Sequence, residues 1–190
     1  NNPADAEEIA NMVFDAMRKV FFEDLGKDPY DRFEGALKAV NGVLNEFRAG
    51  KVSGYIGNMN MVIAGIIGDE LFLTQSGDAE AYLIRKRYVS VITDGLNEDG
   101  GHDDDVFVSI ASGKIEPGDF VLFSTTRLLR YIGKTDLAQS VNKKSITESL
   151  AEIKDAISTE ILGRVALVGL LFAKATASEE KMLQEQEDQA

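Results

Sequence analysis

The sequence has no cysteine, which excludes disulfides and thiolate metal sites and fits a reducing compartment. It has a single histidine, His102. A Ser-His-Asp or Cys-His catalytic system would need that residue to leave its polar loop and meet a nucleophile elsewhere. No Gly-rich phosphate loop or dinucleotide fingerprint is present. The longest apolar run, Val165 to Ala173, is far too short to span a bilayer. No basic segment followed by an apolar stretch marks a signal peptide. The expectation is a cytoplasmic chain with no direct membrane insertion of this segment. Positive charge is also scarce, with 20 basic against 32 acidic residues and a formal net charge of −12. Phosphate backbones and anionic membrane surfaces repel such a chain. Arg85, Lys86 and Arg87 read as a solvated edge, so no nucleic-acid partner is expected.

What is present is ordinary globular composition: 190 residues, 44% hydrophobic and 27% charged, enough for one domain with a real core. The chain runs almost directly into a helix, as an excised domain or a processed protein would. Asn2-Pro3 is a good helix start, and Ile9, Val13, Met17, Val20 and Phe21 follow at helical spacing up to Gly26. Asp28-Pro29 repeats the start signal, and Phe33, Leu37, Val40, Leu44 and Phe47 form a second stripe ending at Gly50. Met12, Met17, Met59 and Met61 fall at core spacing and read as packing residues.

The period then changes. Met59 to Ile67, Leu71 to Gln75, Ala79 to Arg85 and Tyr88 to Thr93 read as short strands joined by tight turns, an antiparallel meander. Asn97 to Asp105 is a polar, acidic loop. Val106 to Ala111 and Phe120 to Ser124 are further strands, and short helices are expected near Arg127 to Ile132 and Asp136 to Val141. Ser145 with Glu148 forms a capping box heading a helix to about Ser158. Val165 to Ala173 is apolar enough for a central strand. The domain is expected to span 1–176, and 177–190 reads as an acidic, polar helical tail or linker. Helices grouped around an antiparallel β region give an α+β fold.

The order of several motifs resembles the metal-dependent Ser/Thr protein phosphatases of type 2C, the PPM family. Gly57-Asn58-Met59-Asn60 stands where the family has a G-x-T-x strand. Gly77-Asp78-Ala79-Glu80-Ala81-Tyr82-Leu83 stands where it has G-D-S-R-A-Y-L, and Ile92-Thr93-Asp94 loosely matches T-x-D. Ile115-Glu116-Pro117-Gly118-Asp119-Phe120-Val121-Leu122-Phe123-Ser124 follows the stretch that leads into S-D-G-L, and the closing D-N-x-T strand corresponds to 162–168. The resemblance implies a four-layer α-β-β-α sandwich of two antiparallel sheets flanked by helix pairs.

It also implies a hydrolase that uses two Mn or Mg ions held by carboxylates to activate water. The residues that would do this are mostly missing. No D-G-x-G-G precedes the first helix, Thr125 takes the place of the S-D-G-L aspartate, and Leu162 or Gly163 that of the final D-N. Of the family's metal positions only Asp78 is retained, and Gly-Asp is also ordinary turn chemistry. The resemblance together with these losses implies a pseudophosphatase that binds a protein partner or self-associates, with no cofactor expected. An active Mn- or Mg-dependent phosphatase completed by an upstream strand is the alternative. A second alternative is a phosphate or nucleotide sensor, in which Ser124, Thr125, Thr126 and Arg127 offer hydroxyls, amides and a guanidinium. The loop carrying His102 and Asp103 to Asp105 reads either as an oxygen-rich cation site or as a solvated acidic loop.

Overall fold

A computed structural model describes residues 3–50, 59–96, 105–142, 144–161 and 163–174. Helices α1 (Pro3–Phe21) and α2 (Pro29–Gly50) form the expected pair. Asp28 caps the second, its Oδ1 accepting the Tyr30 N–H at 2.9 Å and so satisfying one of the free amides of the first turn. Ile9, Val13 and Phe21 from α1 and Phe33, Leu37, Val40 and Leu44 from α2 are buried together with Ile63 and Phe72 of a sheet. Each such side chain taken from water contributes roughly 1.5–3 kcal/mol.

Among the described residues seven strands follow: β1 (Met61–Ile67), β2 (Glu70–Ser76), β3 (Glu80–Arg85), β4 (Tyr88–Val91), β5 (Ala111–Lys114), β6 (Phe120–Ser124) and β7 (Leu167–Leu171). They make two antiparallel sheets, ordered β1-β2-β5 and β4-β3-β6-β7. Between β6 and β7 lie a short 3-10 turn (Leu128–Arg130), α3 (Lys134–Val141) and α4 (Ile146–Ile157). The capping box is present as expected, with Ser145 Oγ accepting the Glu148 N–H and Glu148 accepting the Ser145 N–H.

Side-chain alternation along the strands builds the layers. On β2, Phe72 faces α1 and α2, while Leu71 and Leu73 face the other sheet. On β3 and β6, Tyr82, Ile84, Phe120 and Leu122 face α3 and α4, while Ala81 and Val121 meet Leu71 and Leu73 between the sheets. Three stacked cores thus define the α-β-β-α sandwich.

Three strand expectations need correction. The first four strands are not one meander, because β2 and β3 belong to different sheets. Ser76-Gly77-Asp78 is a corner between sheets, with Gly77 at φ +68°. The strand expected at 106–111 begins only at Ala111. Its first part is held by side chains rather than a ladder. Asn41 Oδ1 accepts the Val106 and Phe107 N–H groups, Asn41 Nδ2 donates to Phe107 O, and Thr74 Oγ1 donates to Ser109 O. Among the described residues β7 is an edge strand rather than a central one, and Val168 and Leu171 remain exposed. The tail 177–190 lies outside the described residues.

The β3–β4 turn places Lys86 at φ +60°, a left-handed conformation suited to Gly or Asn. Lys86→Gly is therefore expected to raise stability by about 0.5–1 kcal/mol, read as an upward shift in the urea midpoint with an unchanged slope.

Candidate functional site

In the β3–β6 ladder Glu80 stands opposite Ser124. Asp78, just before β3, and Thr125 to Arg127, just after β6, therefore converge at one end of the four-stranded sheet. The residues expected for a metal and those expected for a phosphate occupy one place.

Asp78 is fixed through its backbone, its N–H donating to Asn60 Oδ1 at 2.8 Å. Its carboxylate faces two guanidinium groups. Arg127 Nε is 2.9 Å from Asp78 Oδ1 and Arg130 Nη1 is 3.7 Å from Asp78 Oδ2. Arg127 Nε also lies 3.9 Å from Glu80 Oε1. The Arg127 Nε contact is one of charge and proximity, since its N–H lacks the alignment of a hydrogen bond.

Tyr82 holds this cluster from below. It is fully buried, its hydroxyl donates to Glu80 Oε2, and that hydroxyl accepts the Leu128 N–H at 2.7 Å. Burial, followed by the Glu80 carboxylate, pushes the phenol well above its ordinary range, so it stays protonated as a donor. The Leu128 bond anchors the 3-10 turn directly after Arg127 and so fixes where both arginines start.

Two hydroxyls of the junction, those of Ser124 and Thr125, accept backbone amides. Ser124 is buried and its Oγ accepts the Thr126 N–H at 3.2 Å. Thr125 extends the β6–β7 pairing, donating its N–H to Ala166 O at 3.2 Å while its Oγ1 accepts the Ala166 N–H at 3.0 Å. The Thr125, Thr126 and Leu128 amides thus already have internal acceptors. Gly163 is exposed, whereas Gly57, Asn58, Leu162 and the loop bearing His102, Asp103 and Asp104 lie outside the described residues.

Glu80, Tyr82 and Arg130 did not emerge from sequence reasoning. Asp78, Glu80 and Tyr82 alternate at i, i+2 and i+4, the spacing of one strand face, and that signal could have found the first two. Arg130 needs the position of the turn and has no local signature.

A centre for two dications requires several carboxylates around one space. Among the described residues no three of His, Asp and Glu gather to hold a metal. Thr125 is neutral and engaged with Ala166, and Asp78 is neutralised by arginines. A dication there would have to displace two guanidinium groups against like-charge repulsion. These residues do not fit the two-metal group.

No protein-family model matches the sequence, and no curated protein does either. Solved structures do. The serine/threonine phosphatase PstP/Ppp of Mycobacterium tuberculosis aligns with a TM-score of 0.66 at 16% identity, over 87% of this chain and 82% of that one. PppA, a key regulatory component of T6SS in Pseudomonas aeruginosa, aligns with a TM-score of 0.62 at 17% identity, over 86% of this chain and 79% of its own. The PstP catalytic domain in complex with 2 manganese ions aligns with a TM-score of 0.64 at 16% identity, over 86% of this chain and 80% of that one. At such identities the likeness is one of fold. The two sheets, the flanking helix pairs and their order make this chain a PPM-type Ser/Thr phosphatase fold.

Proposed function

We propose that this chain is a pseudophosphatase, a PPM-fold domain that has given up two-metal hydrolysis and acts by binding or scaffolding a protein partner. The observation that carries the reading is the pair of guanidinium groups at Asp78, the one metal-linked position retained from the family motif. Where that motif has an arginine, this chain has Glu80, and the positive charge comes instead from Arg127 beyond β6. The cluster is internally neutral and has no charge left with which to hold two dications. The reading includes a reducing, cytoplasmic setting, which the absence of cysteine supports. Among the described residues no helix is long and apolar enough to cross a membrane.

The test is hydrolysis of p-nitrophenyl phosphate and of a phosphothreonine peptide with Mn²⁺, together with calorimetric titration of Mn²⁺. We expect no turnover above the metal-only blank and no saturable heat. Mn²⁺-dependent turnover that Asp78→Ala abolishes would overturn the reading in favour of an active phosphatase. A double variant, Thr125→Asp with Arg127→Leu, removes one cation and adds a carboxylate. It is expected to give a saturable Mn²⁺ heat where the parent chain gives none, because a carboxylate replaces a neutral hydroxyl and one repelling cation is gone. A phosphate-sensing role for Ser124 to Arg127 requires Arg127 to leave Asp78 and Glu80. It would show as thermal stabilisation by phosphate that Arg127→Ala removes.

A further inference from the structure

One side of the sandwich is formed by two edge strands. β1 is the outer strand of its sheet and β7 that of the other. Both lie on the same side. At the far edge, β5 and β2 cover Leu83 of β3 and Ile92. The opposite edge, β1, therefore lies over β6 and β7, and Val62 and Leu170 join the same inter-sheet core. Among the described residues nothing pairs with the outer edge of either strand.

Neither edge has the features that normally block edge pairing. β1 reads Met-Val-Ile-Ala-Gly-Ile-Ile and β7 reads Leu-Val-Gly-Leu-Leu, without charge or proline. The β1–β2 register runs without a bulge. Ala64 and Ile66, on the inter-sheet face of β1, are exposed, as is Val168 on that face of β7. A groove of about 730 Å³ runs between this edge and α1, lined by Phe14 and Arg18 on the helix, Phe22 just past its end, and Ala64 and Ile66 on the strand. Phe14 and Phe22 are 62% and 61% exposed, and with the exposed Ile66 they line this groove as an apolar patch beside the open edge.

We propose that this open side is a homodimer interface. In it β1 of one copy pairs antiparallel with β1 of a second across a two-fold axis normal to the sheets, and the same axis brings β7 against β7. Antiparallel neighbours are related by such a local two-fold, so one operation can extend both sheets at once. A second copy is the occupant because α1 is self-complementary. Glu7, Phe14 and Arg18 fall on one helix face, an acid toward one end, an exposed ring in the middle and a base toward the other. The axis reverses α1 against its mate, so Glu7 of each copy meets Arg18 of the other while the two Phe14 rings meet near the axis. Neither Glu7 nor Arg18 has an ion-pair partner among the described residues. This interface stands whether or not the chain hydrolyses phosphoesters, so the two proposals fail independently.

Sedimentation equilibrium of the 190-residue chain tests it, with hydrogen exchange on the same samples. The expected species is a reversible dimer of twice the 20.7 kDa chain mass. Ala64→Lys places a charge at an exposed edge position, so it is expected to weaken the dimer about tenfold while leaving far-ultraviolet dichroism unchanged. Arg18→Glu is expected to weaken it about fivefold, and adding Glu7→Lys to that variant is expected to restore it. Restoration by charge swap is something a purely structural role would not produce. A monomer at every attainable concentration overturns the proposal. So does a dimer indifferent to Ala64→Lys and to the charge reversals. A monomer whose β1 amides are as protected as those of β2 overturns it too, because another segment then covers the edge.

Discussion

Gly77→Ala is expected to destabilise the fold by about 3–5 kcal/mol, enough to unfold a marginal domain at moderate temperature. Gly77 sits at φ +68°, where any side chain is strained, and a Cβ there would overlap Asn60 Oδ1 and the Met59 carbonyl oxygen. The overlap is with backbone and with an amide that already accepts the Asp78 N–H, so it cannot be relieved by rotating a flexible side chain. Gly68 provides the control. Its φ is +61°, and nothing lies within 4 Å of a Cβ added there. Gly68→Ala should therefore show only the conformational cost, about 1 kcal/mol. The gap between the two variants in urea unfolding isolates the overlap at the corner. Equal losses would mean that Asn60 and Met59 move aside freely.

Asp119→Ala is expected to cost about 2–4 kcal/mol at neutral pH. Asp119 is 1% exposed and bonded on both oxygens. Arg85 Nε donates to Oδ1 at 2.8 Å, Arg85 Nη2 donates to Oδ2 at 2.7 Å, and the Glu116 N–H donates to Oδ2 at 2.7 Å. Removing the carboxylate strands the Glu116 amide and part of the guanidinium, which is one-third exposed and can recover some water. Burial alone would raise the Asp119 carboxyl, but Arg85 and the Glu116 N–H outweigh it, so the group lies below its ordinary value. A carboxyl lowered by folding adds stability in full above its unfolded value of about 3.9 and loses it as pH falls through the native value. The difference between wild type and Asp119→Ala should therefore be the same at pH 7 and pH 5 and shrink below about pH 4. A difference that persists in acid would assign the loss to the turn's packing rather than to its charge.

Local signals carried much of the fold. Pro3 and Pro29 mark the first residues of α1 and α2, the Ser145–Glu148 box heads α4, and Phe120–Ser124 is β6 to the residue. Each of these depends on neighbours a few positions apart. The segment before β5 did not read correctly because its partners, Asn41 and Thr74, are far away in sequence and satisfy it with side chains. The sheet change at Gly77 was hidden because a corner and a hairpin use the same Gly-Asp chemistry. Pro117-Gly118-Asp119 looked like a plain turn, yet its aspartate clamps β3 to β6 through Arg85. At the candidate site, Asp78 and Ser124 to Arg127 could be named from the sequence. Their meeting could not, since it follows from the register that sets Glu80 opposite Ser124.

The arginines at Asp78 have a consequence for the thermodynamics of the whole chain. A metal held by carboxylates is a ligand at some free concentration, and its loss to a chelator is felt as lost folding free energy. Arg127 and Arg130 are tethered by the backbone itself, next to a turn that Tyr82 holds in place. Neutralisation of the Asp78 carboxylate is thus unimolecular, set by chain geometry rather than by ionic supply. It needs no free metal, and because these side chains are about half exposed it weakens only through ordinary salt screening.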